Sequence, residues 1–402
     1  MDTTPFHLIL LALDVLLLGG LWLWIRCRRC NNQPSFIWAV TGIIFFGGIG
    51  LACFAALSWF ISTDYAQEHI YHFNVGQCIV EGIALHASLF FLGTAAFLYR
   101  NHRRWIAMFF LCCAAGLAGL GFKALYWEPN HVRVEYYAIN TSKLKKPLRI
   151  VFVSDIQTDR IGSHEMNTLK TIQGLKADMI ILGGDYIQTF GDTREQHLPE
   201  KFRQMLFDYP LKAPLGVYAI AGNVGKGGDM RDALLFKGTG VEYFQDSTFF
   251  EGLGADQDLG PIDLVILRVS HSEGGRGDYY LTNTGNFIVM AGHYPNYAID
   301  GYKNPRTGTS LSGYRNAERA PDLMLAGHTH GGQIVIPFYG PLLQAEDDHL
   351  GQIPRFMWSG FFVYPNGGHL VVTRGSGLER GWAPQVRLFC PPEISVIDIV
   401  PK

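Results

Sequence analysis

The chain has 402 residues, 48% of them hydrophobic, and a formal net charge of -2. That length accommodates two or three domains, and the near-neutral charge, with no basic aromatic patch, excludes bulk nucleic-acid binding and leaves no nucleic acid among the expected partners. Six of the seven cysteines (Cys27, Cys30, Cys53, Cys78, Cys112, Cys113) lie in the apolar first third and only Cys390 lies beyond it, so the polar remainder carries no disulfide framework.

Four segments reach the roughly 20 apolar residues that a bilayer-spanning helix needs: 6–25, 36–61, 79–99 and 105–127. The first lacks the basic start of a signal peptide, contains Asp14 and runs into RCRRC, so it reads as a retained helix and the CxxC within RCRRC as a juxtamembrane basic stretch. Arg26, Arg28 and Arg29 follow the first segment, Arg100, Arg103 and Arg104 follow the third, and no Lys or Arg occurs from residue 31 to 99. Both arginine loops are therefore expected in the cytoplasm, which places the N-terminus, the loop 62–77 and everything after Trp127 on the other side. The expectation is a multi-pass protein of the plasma (inner) membrane with an extracytoplasmic soluble domain. Asp14, Glu81 and His86 are the ionisable residues noted within these segments; scattered along the sequence, they read as helix-helix or interfacial hydrogen-bonding groups rather than as a relay. Trp59, Trp105 and Trp127 near segment ends fit an aromatic belt.

Residues 128–147 form a polar connector whose alternation at 132–137 suggests a strand, and a soluble domain starts at Leu148. Strands are predicted at 148–154, 178–182, 216–221, 262–269, 286–291, 322–326, 369–373 and 393–399, with helices at 163–175 and 195–207. Short apolar strands alternating with helices imply an α/β domain of layered sheets covered by helices.

The chemistry sits at strand ends. The first strand runs into Asp155-Ile156-Gln157, the second into Gly183-Gly184-Asp185, the third into Gly222-Asn223-Val224, the one from 286 into Gly292-His293, and the one from 322 into Gly327-His328-Thr329-His330. In open α/β sheets ligands gather at such carboxyl ends. Five ends each offering Asp, Asn or His describe a metal centre better than five unrelated turns.

At these positions the sequence resembles the calcineurin-like metallophosphoesterases, whose pattern is DxH, GDxx, GNH, H and GHxH in that order. AGHTHGGQIVIPFYGPL and RLFCPPEISVIDIV are similar to the membrane-anchored bacterial subgroup typified by the YkuE and YaeI phosphoesterases. The resemblance implies a four-layer α/β/β/α sandwich, preceded by the four-helix transmembrane region, with a two-metal centre between the sheets. It implies that Asp155, Gln157, Asp185 and His330 hold one divalent ion. Asp185, Asn223, His293 and His328 would hold the other, with Asp185 bridging, and Asp185, Asn223 and His328 would also be catalytic. The two ions would be Mn, Fe or Zn, activating a hydroxide and clamping the phosphoryl oxygens of a phosphodiester or phosphomonoester.

Two positions depart from that pattern. Gln157 stands where the family has histidine, which weakens the first ion's site. Val224 stands where the family has the histidine that assists the leaving group, a role worth about 10²- to 10⁴-fold in rate. Lys226, His164 and His271 are candidate substitutes. The leading reading is a membrane-anchored metal-dependent phosphoesterase, with a lipid-linked phosphate ester as the substrate suggested by its location. The alternative is a catalytically impaired relative that binds metal or phosphate as an interaction module, and a minor one is a hydrolase of a nucleotide-diacylglucosamine precursor of lipid A.

Overall fold

The computed structural model of the chain describes residues 4–29, 35–61, 75–100, 102–188, 197–224, 230–274, 285–298, 321–342, 353, 355–364, 367–379 and 383–402, and among these four apolar helical stretches precede residue 128. The described chain divides into two compact units, Met1–Trp127 with Gly381–Gln385, and Glu128–Arg380 with Val386–Lys402.

In the first unit, α1 (Thr4–Arg29) and α2 (Ser35–Ile61) are followed by α3 (Val75–Gly82), which continues through a π-helical turn (Ile83–Ala87) into α4 (Ser88–Arg100). Next, α5 (Arg104–Phe122) ends in a second π-helical turn, Lys123–Trp127. Among the described residues, two continuous helices, Gln77–Arg100 and Arg104–Asn130, are long and apolar enough to cross a membrane, and His7–Leu23 and Thr41–Ala55 are shorter apolar stretches. Large apolar side chains such as Val15, Leu16, Ile44, Leu51 and Phe109 point outward.

Asp14, Glu81 and His86 do make helix–helix hydrogen bonds, as expected, but they are not scattered in the fold. Asp14 bonds Nδ1 of His86 at 2.6 Å, Nε2 of His86 lies 3.1 Å from Nδ1 of His7, and Nε2 of His7 lies 2.7 Å from Glu81, which also accepts from Gln77. One continuous chain of polar groups thus joins α1 to the α3–α4 stretch. The π-helical turn carries His86, and its extra residue per turn shifts that imidazole relative to a regular helix.

The second unit holds two six-stranded sheets. The first has the order β1 (Arg133–Thr141), β14 (Glu393–Pro401), β2 (Leu148–Val153), β3 (Met179–Leu182), β4 (Val217–Ile220) and β5 (Glu242–Phe244). The second has the order β12 (Gly360–Val363), β13 (His369–Val372), β9 (Leu323–Ala326), β8 (Phe287–Ala291), β7 (Ile262–Ile266) and β6 (Thr248–Leu253). A two-stranded ribbon pairs β10 (Val335–Ile336) with β11 (Gly340–Pro341). The mixed α/β class is as expected. The strand foreseen in the connector runs all nine residues of β1 and pairs in parallel with β14, so the connector is the edge of the first sheet.

The continuous apolar runs of β2 and β3 follow from burial on both faces. Ile150, Phe152, Met179 and Ile181 point into the space between the sheets, against Leu264, Val289 and Leu325. Their neighbours Val151, Val153, Ile180 and Leu182 point the other way, onto Leu169 and Ile172 of α6 (Ser163–Gly174) and Phe202 and Leu206 of α7 (Leu198–Asp208). Each such fully buried side chain contributes about 1.5–3 kcal/mol. Two short helices, α8 (Met230–Phe236) and α9 (Val269–Gly274), complete the unit's helices among the described residues. The alternation that packs both faces also fixes the register, Val153 opposite Leu182 and Leu182 opposite Ala219, so β2, β3 and β4 end level with one another. In the second sheet Ala291 lies opposite Leu325, so β8 and β9 end level as well.

Candidate metal centre

Beyond the strands, the loops leaving β2 and β3 stay zipped. Gly183 N donates to Val153 O at 2.7 Å, Asp155 N to Gly184 O at 3.0 Å and Gln157 N to Asp185 O at 2.9 Å. This ladder holds Asp155, Gln157 and Asp185 side by side. The second sheet joins across the gap: His328 N donates to both oxygens of Asp155 at 3.0 and 3.1 Å, and Nδ1–H of His293 to Gly183 O at 2.8 Å.

Turning these side chains toward one point strains the backbone. Asp155, Gln157, Asp185, His328 and His330 all have positive φ, between 38° and 69°. A non-glycine residue held in this sparsely populated region costs about 1–3 kcal/mol, and such outliers cluster at functional sites. Glycines supply the room. A Cβ on Gly222 would lie within contact distance of Asp185 Oδ1, and one on Gly327 would strike Ser154 Oγ and Asp155 Oδ2.

The seven residues proposed from the sequence are brought together. Asn223 Oδ1 lies 2.6 Å from Nε2 of His293 and 2.9 Å from Nδ1 of His328, and Asp185 Oδ2 lies 3.3 Å from Nε2 of His293. The ligand atoms of Asp185, His293 and His328 all fall within 4.8 Å of one another. On the other side, Nε2 of His330 is 3.8 Å from Asp155 Oδ1, and Nε2 of Gln157 is 3.1 Å from Asp185 Oδ2. Asp155, Gln157, Asp185, His293 and His330 are buried, whereas Asn223, Val224 and His328 are half-buried, so solvent reaches the centre from the Asn223–His328 side.

The electrostatics suit a cation. Burial pushes Asp155 up to about 7. Burial alone would raise Asp185 and lower His293, but their mutual attraction reverses both, leaving Asp185 below the usual carboxylate range and His293 above that of a free imidazole. Burial, and then the nearby Arg387 guanidinium, holds His330 down to about 3, so its imidazole is neutral. The Nε2 of His330 is buried with no hydrogen-bond partner among the described residues, an orphan of the kind that a bound ion satisfies. His293 has its Nδ1 fixed by a carbonyl, which leaves Nε2 for ligation, the second contact that metal-bound imidazoles generally make. The residues present therefore fit divalent ions, with Asp185 placed between the two groups.

Of the candidate substitutes for the missing histidine, His164 spends Nε2–H on Ser376 O at 2.7 Å, while Lys226 and the side chain of His271 lie outside what is described. Three residues were not foreseen. Tyr294 lies against His328 with ring centroids 3.9 Å apart. Glu379 accepts from Nε2 of Gln157 and of Gln188, and Arg387 is completely buried behind His330. Arg387 had a signal, the RLFC tail; Glu379 had none.

Residues 148–332 match the model of the calcineurin-like phosphoesterase family. The chain is similar to the uncharacterized metallophosphoesterase YkuE of Bacillus subtilis (strain 168), 27% identical over 316 residues that cover 74% of this chain and 97% of the relative. It is similar to an uncharacterized metallophosphoesterase of Aquifex aeolicus (strain VF5), 25% identical over 68% of this chain and 94% of the relative. Over 80 residues, 20% of this chain and 25% of the relative, it is 38% identical to the phosphodiesterase YaeI of Escherichia coli (strain K12). The strand-end order, the converging ligand atoms and these matches agree: residues 148–332 are a calcineurin-like phosphoesterase domain.

Proposed function

We propose that the protein is a membrane-anchored, two-metal phosphoesterase that acts outside the cytoplasm on a lipid-linked phosphate ester. The observation that carries the catalytic part is the convergence of Asp185, His293 and His328 within 4.8 Å, beside the buried Asp155–His330 pair. Asp155, Gln157, Asp185 and His330 would hold one dication, and Asp185, Asn223, His293 and His328 the other. When bound, such ions supply Lewis acidity that polarises phosphoryl oxygens and lowers the pKa of water; Mn²⁺, Fe and Zn²⁺ all suit the mixed donors. The chain's own part is orientation. Gly183 O fixes the His293 ring, Val224 N holds Asp185 Oδ1 at 2.9 Å, and the buried wall of Asp155 and His330 confines entry to the Asn223–His328 side.

Full-length protein in detergent, stripped with EDTA and reloaded with Mn²⁺, is expected to hydrolyse a chromogenic phosphodiester only in the reloaded state. Absence of bound metal at millimolar supply overturns the reading. Bound metal without turnover favours instead a metal- or phosphate-binding module, a reading motivated by Val224.

Support for the membrane part comes from the two long apolar helices and the outward-facing side chains of α1, α2 and α5, and from the arginines of both short loops. The four-helix transmembrane region belongs to this proposal, as does the substrate class, since a site anchored beside the bilayer meets lipid-linked phosphates first. A reporter fused after Lys402 is expected to be active only outside the cytoplasm; activity confined to the cytoplasm reverses the orientation and reopens soluble nucleotide-linked substrates.

A further inference from the structure

The first metal position is the one this chain has altered, and the surroundings of Gln157 carry a compensating charge. Glu379 Oε2 lies 3.1 Å from Nε2 of Gln157, and the same nitrogen lies 3.1 Å from Asp185 Oδ2. One neutral amide thus donates to two carboxylates and brings no charge of its own between them. Half a turn of the Gln157 amide exchanges nitrogen for oxygen at that spot, which leaves three oxygens around a point suited to a cation. The buried Nε2 of His330, 95% shielded and with no hydrogen-bond partner among the described residues, is an independent sign that this side of the centre takes an ion.

Glu379 is also held in place. Ser376 N donates to Ser154 O at 2.9 Å and Gly377 N to Asp155 O at 2.8 Å, so the segment just before it is pinned to the loop that carries Asp155. Glu379 N donates to Gln333 Oε1 at 2.9 Å, and Glu379 Oε1 accepts from Nε2 of Gln188 at 2.7 Å. Its second oxygen accepts from Gln157, whose amide also donates to Asp185.

We propose that Glu379 is a ligand of the first metal position, supplying the charge that Gln157 does not and making the site oxygen-rich: Asp155, Gln157, Asp185 and Glu379 with the single imidazole of His330. The second position keeps two imidazoles, His293 and His328. Oxygen donors suit Mn²⁺ and imidazoles suit Zn²⁺ and Fe, so the two positions differ in the ion they select. This assignment rests on the reading of the centre as a metal site.

The test is Mn²⁺ binding by the full-length protein, followed by the electron-paramagnetic signal of free Mn²⁺ and independent of turnover. Wild type is expected to show two classes of site. Glu379→Gln, whose carbonyl oxygen still accepts from Gln188 and whose amide nitrogen can donate to Gln157 once the Gln157 amide turns over, is expected to weaken one class by about 10- to 100-fold and leave the other unchanged. Glu379→Asp, equally charged but shorter by one methylene, is expected to lose the same class, and Gln157→His added to Glu379→Gln to restore it. Metal-free melting temperatures check that the variants fold. Two unchanged classes in both Glu379 variants overturn the assignment of Glu379 while sparing the metal centre. No Mn²⁺ bound by wild type overturns both.

Discussion

Val224→His raises the hydrolysis of a phosphodiester with a weakly acidic alcohol leaving group by about 10²- to 10⁴-fold, the span of a positioned general acid. The position tolerates the exchange. The backbone N–H of Val224, not its side chain, holds Asp185 Oδ1 at 2.9 Å, and the side chain is half-buried beside Asn223 on the solvent-facing side of the centre. An imidazole added there meets water and substrate rather than the core. The gain depends on the leaving group, because an acidic phenol departs as its anion without a proton and gives general-acid catalysis little to do. Assays of Val224→His against esters of graded leaving-group acidity are expected to show a gain that grows as the leaving group becomes less acidic. An equal, small change across the series would mean that the side chain at 224 does not reach the leaving oxygen, and that proton delivery comes from elsewhere or is not needed.

Much of the centre was legible because both of its physical requirements leave marks in sequence. Strands buried on both faces carry solid apolar runs, as in 150–153 and 323–326, and side chains that converge beyond them need glycines where backbones approach, as at Gly222 and Gly327. Edge strands leave weaker marks. Thr248–Leu253 and Gly360–Val363 are only partly buried, so neither alternation nor a solid apolar run marks them. The strand predicted at 262–269 stops at Ile266, because Val269 already begins a helix. The polar chain from Asp14 to Glu81 was hidden because hydropathy shows which segments are apolar but not which helix faces meet; His7 and His86 are 79 residues apart. Glu379 belongs to no strand and no motif, and its role depends on which loop lies opposite Gln157.

Arg387→Met destabilises the second unit by about 4 kcal/mol through the loss of a donor that several buried carbonyls share; those of Arg374, Gly377 and Cys390 lose their donor at about 1–3 kcal/mol each before relaxation, whereas Gly375 O and His330 O keep the backbone N–H groups of Glu393 and Gln333. Arg387 is fully buried, and burial holds its guanidinium below its ordinary range, yet an arginine stays charged. It donates to Gly377 O at 2.6 and 3.0 Å, to Arg374 O at 2.7 Å and to Cys390 O at 3.1 Å, with longer bonds to Gly375 O and His330 O at 3.4 Å. Apart from Cys390 O, in Arg387's own segment, those carbonyls belong to the loop pinned against Asp155 and to the strand end that carries His330, so one planar cation ties together two walls of the first metal position. At 2–4 °C per kcal/mol the metal-free melting temperature falls by roughly 8–16 °C. Arg387→Lys is expected to recover little, since a single ammonium cannot reach carbonyls spread around a planar fork. Its positive charge beside an expected dication would otherwise be a cost, and the carbonyl cage is what makes that cost tolerable. If Arg387→Met melts like wild type, the carbonyls find other donors and the walls around Asp155 and His330 are held by the strand ladder alone.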